Sequence, residues 1–87
     1  MLKVRKDDGT IESFNKYKII ESVRKETGCE GQVINQVVDD VEQILISSPL
    51  QIITGPLIRE VVNSKFLEHE LFECRKKYTR VGMPLYD

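Results

Sequence analysis

The sequence predicts a single α+β domain, in which a small β-sheet lies over three or four helices. An Asp-Gly pair near the N-terminus separates two short segments of β-prone residues, which is typical of a β-hairpin. Three later stretches repeat apolar residues at three- and four-residue spacing, the pattern of amphipathic helices. A chain of 87 residues has room for one small hydrophobic core. These observations together favour one compact unit.

The hairpin is predicted to turn at its Asp-Gly pair, because these residues accept the two positive-φ positions of a tight two-residue turn. That turn places Arg5 opposite Glu12 across the strands and puts Val4 and Ile11 on one apolar face. An isolated two-stranded ribbon is only marginally stable in water. We therefore expect a helical layer to cover the apolar face.

Two helices are predicted after the hairpin. Asn15 is a good N-cap for a helix that ends before Gly28, a residue suited to the left-handed position after a helix. The strongest amphipathic pattern follows, from about Val33 to Ile46. Its β-branched residues would also suit a strand, but the run is too long and lacks strict alternation. The pattern favours a helix.

The second half of the chain predicts a short strand and more helix. Leu50–Ile53 is the candidate third strand, beside the hairpin. Thr54 is a candidate N-cap, and Pro56 suits the first turn of a third helix that continues to about Glu68. Another apolar pattern follows His69 without an intervening Gly or Pro. One bent helix and two short helices are both compatible with this pattern.

Composition excludes several classes of function. Lys and Arg number 13 against 14 Asp and Glu, so the net charge is −1 and no large positive field attracts nucleic acid. No apolar run approaches the roughly 18 residues that a membrane span requires, and the N-terminus lacks the apolar stretch of a signal peptide. We expect a cytoplasmic domain with no membrane partner and no direct contact with nucleic acid.

The residues that could support catalysis or bind metal are few and scattered. Cys29 and Cys74 are isolated in the sequence, and His69 is the one histidine. Neither a disulfide framework nor a four-ligand zinc site is expected from such a set. Structural roles are predicted for both cysteines and solvent exposure for the histidine, with the paired carboxylates on solvated surfaces. The sequence therefore predicts neither a catalytic residue nor a metal site.

Cations converge on a helix start in the first 18 residues. Arg5 and Lys6 close the first strand, Asn15 caps the first helix, and Lys18 lies in its first turn. A lysine in a first turn opposes the helix dipole unless an anion lies between them. Solvated surface charges and a phosphate site are both compatible with this pattern.

The order of these residues resembles the opening of the ATP-cone domain, a nucleotide-binding regulatory module of ribonucleotide reductases. The motif reads Val4-Arg5-Lys6-Asp7-Asp8-Gly9, followed by Glu12, Phe14, Asn15, Lys18 and Ile19. Thr54 resembles the threonine before the family's third helix, and Cys74-Arg75-Lys76-Lys77-Tyr78 resembles its last helix. The resemblance implies a hairpin and third strand that cap a four-helix bundle.

The resemblance also implies a set of nucleotide-binding residues: Val4, Arg5, Lys6, Glu12, Asn15, Lys18 and Thr54. By that resemblance Lys6 and Lys18 meet the phosphates, while Glu12 and Asn15 hold the base or the ribose. Val4 contributes mainly its backbone, and Thr54 lines the base pocket. The structural alternative is that these residues serve only as core, cross-strand or capping residues.

Asp7 departs from the family pattern, which usually has a basic residue that contacts phosphate at this position. An acidic residue there repels phosphate by like charge. Arg5 is the candidate substitute, although strand neighbours point to opposite faces. A cone that has lost nucleotide binding and acts as an interaction module is therefore one alternative function.

The function implied by the resemblance is allosteric. ATP or dATP is the expected effector, with Mg²⁺ as a candidate companion of the phosphates. The expected partners are the adenine nucleotide and the catalytic domain of a reductase, with cone–cone oligomerisation as a further candidate. The domain itself is expected to catalyse nothing. Since effectors regulate only through different affinities for two states, a 2′-hydroxyl would have to be read by polar groups.

The end of the chain bears on the parent protein and on the domain boundaries. Tyr78–Asp87 resembles the stretch that joins the cone to the catalytic barrel of anaerobic, triphosphate-using reductases. We therefore expect a cone over residues 1–81 and the start of a linker over 82–87. No zinc-ribbon cysteines precede the cone, so the family's transcriptional repressor is the second alternative. A small basic nucleic-acid binder that uses Lys76, Lys77 and Arg80 is a third.

Overall fold

A computed structural model of the chain describes residues 1–79. Its elements in chain order are β1 (Lys3–Arg5), β2 (Ile11–Ser13), α1 (Lys16–Thr27), α2 (Gln32–Ser47), β3 (Ile52–Thr54), α3 (Gly55–Glu68) and α4 (Phe72–Thr79). Three strands and four helices confirm the predicted α+β class. Residues 82–87, the predicted start of a linker, and Arg80 lie outside the described part.

The sheet has the strand order β2-β1-β3. β1 pairs antiparallel with β2 and parallel with β3, so the predicted third strand does lie beside the hairpin. It begins two residues later than predicted, at Ile52, and ends at the cap of α3. The buried Ile53 of this strand faces the helices and joins the sheet to the core.

The predicted two-residue turn of the hairpin is wrong by one residue. The Gly9 N–H donates to the Lys6 carbonyl at 2.9 Å, and Gly9 has a φ of 87°. Lys6 and Thr10 pair across a three-residue loop, as in a type I turn followed by a left-handed residue. Asp8 Oδ1 fixes this loop by accepting from the Thr10 N–H at 2.9 Å and from its hydroxyl at 2.6 Å. The side chain of Asp8 thus selects the longer loop.

The corrected register changes which residues share a face. Val4 now pairs with Glu12, and Arg5 pairs with Ile11. A shift of one residue moves a side chain to the other face of a sheet. Glu12 therefore lies on the inner face with Val4, whereas Ile11 lies with Arg5 on the outer face and is half exposed.

Local capping fixes the helix ends. Asn15 Oδ1 accepts from the Tyr17 N–H at 3.0 Å at the start of α1, and Gly28 ends that helix with a φ of 75°. Thr54 Oγ1 accepts from the Leu57 N–H at 3.3 Å at the start of α3. These caps confirm the predicted boundaries of both helices.

The segment after α3 separates two helices, which decides between the two alternatives. The Glu70 N–H donates to the Leu67 carbonyl at 3.0 Å, and the Leu71 N–H donates to the Phe66 carbonyl at 2.8 Å. These two bonds form a Schellman motif, in which Glu70 takes the left-handed position with a φ of 58°. A glycine usually occupies this position, so the sequence shows no break here.

The core lies between α2 and the other helices. Its fully or nearly buried apolar residues come from all four helices and β3: Ile19, Val23, Ile34, Val37, Val38, Val41, Leu45, Ile53, Val62, Phe66, Cys74 and Tyr78. Five of them belong to α2, the helix with the clearest apolar pattern in the sequence. In residues 1–79, none of the helices combines the length and apolar character that a membrane crossing needs.

The prediction that the two cysteines stay unpaired is wrong. Cys29 and Cys74 form a disulfide, with their Cα atoms 6.3 Å apart and a sequence separation of 45 residues. Cys29 lies on the loop after α1, and α4 packs against α1, so the fold brings the two together. The prediction that Cys74 belongs to the apolar face of the last helix is confirmed, since its exposed fraction is 8%.

We predict that Glu70→Gly stabilises the protein. A non-glycine residue in the left-handed region costs about 1 kcal/mol, and glycine removes that cost. We expect the free energy of unfolding to rise by about 0.5–1 kcal/mol in chemical denaturation. The matched control is Glu60→Gly inside α3, which should lower the same quantity by about 1 kcal/mol. Destabilisation by both variants would contradict this account of the turn.

Candidate functional site

A cavity of about 370 Å³ lies between the hairpin, the start of α1, the start of α3 and the end of α4. Its volume is within the range of small-molecule sites. The lining residues are Val4, Asp7, Glu12, Ser13, Phe14, Asn15, Lys18, Ile19, Ser22, Gly55, Pro56, Ile58, Arg59 and Tyr78. Apolar side chains from the sheet and helices therefore meet a few charged and polar groups, as in most ligand sites.

An exposed ion pair lies at the mouth of the cavity. Lys18 Nζ donates to Glu12 Oε1 at 2.9 Å, and the exposed side-chain fractions are 61% and 33%. This hydrogen bond, aided by the charges of Lys18 and Lys6, lowers the pKa of Glu12 against a smaller opposing effect of burial. An exposed pair of this kind is weak, because water screens it. A bound anion can therefore compete for Lys18.

The neighbouring lysine of α1 points elsewhere. Lys16 Nζ lies 3.0 Å from Asp39 Oδ1 and 3.7 Å from Glu42 Oε1, both on α2. The first turn of α1 holds no acidic residue, so its N-terminal dipole is not offset by a local carboxylate. Lys18 and the helix start together form the electropositive part of the cavity.

A network of polar groups from three helices forms the floor. Arg59 on α3 donates through Nη1 and Nη2 to the two carboxylate oxygens of Glu26 on α1, at 2.9 and 3.0 Å. Arg59 Nη1 also donates to the Tyr78 carbonyl at 2.9 Å, and the guanidinium lies 4.3 Å from the centre of the Tyr78 ring. The side chains of Arg59 and Glu26 are only 21% and 20% exposed. This geometry fixes α4 against α1 and α3.

Ser22 completes this network. Its hydroxyl lies 2.9 Å from the Tyr78 hydroxyl and donates to Glu26 Oε2 at 3.0 Å. Burial raises the pKa of the Tyr78 phenol, only partly offset by the Ser22 hydrogen bond and the Arg59 charge. The hydrogen bond that Arg59 donates to Glu26 raises the pKa of Arg59, against a smaller effect of burial. Tyr78 therefore stays neutral and Arg59 charged near neutral pH.

The structure brings four of the seven residues proposed from the sequence to the cavity wall: Val4, Glu12, Asn15 and Lys18. Lys6 lies close enough to lower the pKa of Glu12. Arg5 lies on the outer face of the sheet. Thr54 is exposed and caps α3, and it is the next two residues along the chain that line the cavity.

Sequence reasoning missed the floor of the cavity. Ser22, Glu26, Arg59 and Tyr78 come from three helices, and no spacing in the sequence joins them. The resemblance of Cys74–Tyr78 to the family's last helix does not predict that this segment contacts α1. Asp7, predicted as an obstacle to phosphate, does line the cavity.

The cavity can hold a polar small molecule with an anionic group, since Lys18 and a helix N-terminus meet at its mouth. Within the described residues, no group of three or more His, Cys, Asp or Glu side chains is placed to hold a metal ion.

Comparison with known families gives this arrangement a context. The profile of the ATP cone domain matches residues 2–83. This chain belongs to the ATP-cone domain family. Domains of this family are regulatory and bind nucleotide effectors, which agrees with a cavity that combines apolar walls with a lysine at a helix start.

Two curated relatives are similar to this chain. Both are named "Transcriptional repressor NrdR", one from Natronomonas pharaonis and one from Halomicrobium mukohataei. Each is 37% identical over 65 residues, which is 71% of this chain and 40% of the relative. The chain thus spans about two-fifths of the length of the curated relatives it matches.

We predict that Arg59→Ala destabilises the fold. The variant removes the guanidinium that pairs with the Glu26 carboxylate and donates to the Tyr78 carbonyl, which we expect to cost about 2 kcal/mol in the free energy of unfolding. Denaturant titration without ligand measures it. Arg24→Ala, which removes an exposed pair with Glu21, is the control and should cost about 0.3 kcal/mol. Equal losses would show that the floor contributes no more than a surface pair.

Proposed function

We propose that this chain is a nucleotide-sensing regulatory module that binds an adenosine triphosphate in the cavity described above. The observation that supports this most strongly is the position of Lys18, at a helix start and on the wall of a ligand-sized cavity. Helix N-termini favour phosphate because their N–H groups and dipole are aimed at it. Membership of the ATP-cone family supports an adenine nucleotide as the ligand.

In this proposal the phosphates replace the carboxylate that Lys18 now contacts. Lys18 turns from Glu12 to phosphate oxygens, and Lys6 approaches from the hairpin. The released Glu12 then accepts from a ribose hydroxyl, with Asn15 beside it. The Val4 backbone and Thr54 are assigned to the base, as the family resemblance implies. Arg5 lies on the outer face of the sheet and receives no contact here.

Glu12 and Asn15 are also the proposed readers of the sugar. ATP and dATP differ by one 2′-hydroxyl, and a carboxylate that has lost its lysine partner is a strong acceptor for such a group. A ligand regulates only as far as it binds two states with different affinity. The contact with the ribose is therefore the place where the affinities for ATP and dATP would differ.

Asp7 sets the main electrostatic cost of binding. Its carboxylate lines the same cavity and repels a triphosphate. We propose that Mg²⁺ enters with the nucleotide, held by phosphate oxygens. A cation bound in this way offsets the charge of Asp7.

The parent protein is a separate proposal, and the relatives favour a transcriptional repressor. Both curated relatives carry that name, and the cone would then report nucleotide levels to a DNA-binding part elsewhere in the protein. The chain itself has a net charge of −1, so we assign it no direct DNA contact. Nucleotide-dependent cone–cone association is the proposed output.

A ribonucleotide reductase of the anaerobic, triphosphate-using class is the second candidate parent. It is favoured by the resemblance of Tyr78–Asp87 to the stretch before the catalytic barrel. The coding sequence on both sides of the chain discriminates between the two candidates. A catalytic domain encoded after Asp87 would overturn the repressor proposal. A zinc ribbon encoded before Met1, together with a stop codon shortly after the cone, would overturn the reductase proposal.

We predict that Lys18→Ala weakens the binding of ATP and dATP by about 5- to 150-fold, because a charge-assisted contact worth about 1–3 kcal/mol is lost. Isothermal titration calorimetry in the presence of Mg²⁺ measures this. Lys16→Ala is the matched control, since Lys16 contacts α2 and should leave affinity unchanged. Absence of binding by the unmodified chain would favour a cone that serves only as an interaction module. Unchanged affinity in Lys18→Ala would refute the phosphate contact.

We predict that Asp7→Lys tightens ATP binding by about five-fold, because a repelling charge becomes an attracting one at the cavity wall. The same calorimetry at physiological salt measures the change. Glu30→Lys alters the net charge equally but lies outside the cavity lining, so it should have no effect. Equal tightening in both variants would mean that net charge, and not the position of Asp7, controls affinity.

A further inference from the structure

Two buried residues fix α4 to the rest of the protein. Of its eight residues, only Cys74 and Tyr78 are buried, and they lie four positions apart on one face of the helix. A helix this short is not stable by itself in water, so it depends on these attachments. Cys74 forms the disulfide with Cys29, and Tyr78 enters the network at the floor of the cavity.

The Tyr78 attachment belongs to the nucleotide cavity. The Tyr78 carbonyl accepts from Arg59, its hydroxyl lies 2.9 Å from Ser22 Oγ, and its ring lies beneath the guanidinium. All three residues line the cavity. A change in how firmly α4 is held therefore changes the cavity floor.

The disulfide attachment reaches outside the cavity. Neither cysteine is among the cavity-lining residues, and Cys29 lies on the loop between α1 and α2. The bond joins that loop directly to the first turn of α4. The disulfide and the cavity thus involve the same short helix at two separate positions.

We propose that the Cys29–Cys74 disulfide is a redox switch that sets the affinity of the nucleotide cavity through α4, an inference that rests on the proposed function. The oxidised chain holds Tyr78 in the cavity floor and binds nucleotide more tightly. Reduction removes the covalent link of α4 and leaves Cys74 held by packing alone, so that the hydrogen bonds of Tyr78 carry more of the attachment and the floor loosens. The cavity then binds nucleotide less well.

The chemistry is thiol–disulfide exchange with a dithiol reductant. A thiolate of the reductant attacks Sγ of Cys29, the more exposed of the two residues, and the S–S bond breaks with Cys74 leaving as a thiolate that takes a proton. The second thiol of the reductant then displaces Cys29. Two electrons and two protons pass to the protein, and the reductant becomes a disulfide.

The coupling acts in both directions. A ligand that binds the oxidised form more tightly must stabilise the disulfide against reduction by the same factor. Bound nucleotide therefore protects the Cys29–Cys74 bond. A cell that becomes more reducing would weaken the nucleotide response of this module.

The test compares the oxidised chain with the chain reduced by dithiothreitol, using ATP with Mg²⁺ in calorimetry. We expect the reduced form to bind at least about five-fold more weakly, the lower end of typical coupling between sites. The double variant Cys29→Ser, Cys74→Ser should match the reduced form with and without dithiothreitol. A reductant effect that persists in this variant would overturn the inference.

A second measurement does not depend on nucleotide or on the variant. Hydrogen exchange at the α4 amides should accelerate at least about five-fold on reduction, while that of the buried α2 amides should stay unchanged. Unchanged hydrogen exchange at α4, or equal ATP affinity in both redox forms, would overturn this inference but leave the proposed function standing. No ATP binding by either form would overturn the proposed function and this inference with it.

Discussion

The cavity depends on one interaction, the bidentate salt bridge between the Arg59 guanidinium and the Glu26 carboxylate. It joins α3 to α1, and the same guanidinium holds α4 by donating to the Tyr78 carbonyl and covering its ring. Three helices therefore converge on a single planar cation. Lysine lacks the geometry to make these contacts together, because its ammonium cannot bind a carboxylate in parallel and stack on a ring. Without this cation the cavity would have a sheet and two helix starts but no floor.

The other wall depends on a register shift of one residue. Asp8 selects a three-residue loop, and that loop turns Glu12 inward beside Val4. The two-residue turn would have put Glu12 on the outer face with Arg5, away from Lys18. Since Glu12 is the present partner of Lys18, the local hydrogen bonds of Asp8 determine whether Lys18 meets a carboxylate at the mouth of the cavity. A solvent-exposed loop thus controls the chemistry of the site.

Local signals made much of the fold predictable. Asn15, Gly28 and Thr54 act within a few residues of themselves, so capping preferences located α1 and the start of α3. Glu70 was not predictable as a helix stop, because it takes the left-handed position where glycine is usual. The Cys29–Cys74 pair and the network at the floor were missed for a different reason. The residues of each come into contact only when helices distant in sequence pack together, and hydrophobic periodicity does not predict such contacts.

The charges at the cavity wall distinguish this cone from a phosphate site that is lined mainly by cations. Asp7 and Glu12 balance Lys18 and Arg59 in formal charge, and Arg59 is already committed to Glu26. Lys18 is then the lining cation that can turn to a phosphate, and it must first leave Glu12. A triphosphate bound as we propose would therefore gain little from long-range attraction and would depend on local contacts, on Lys6 and on any cation it carries. With so few cations to hold the ligand, its affinity would then depend on how firmly the floor of the cavity is held.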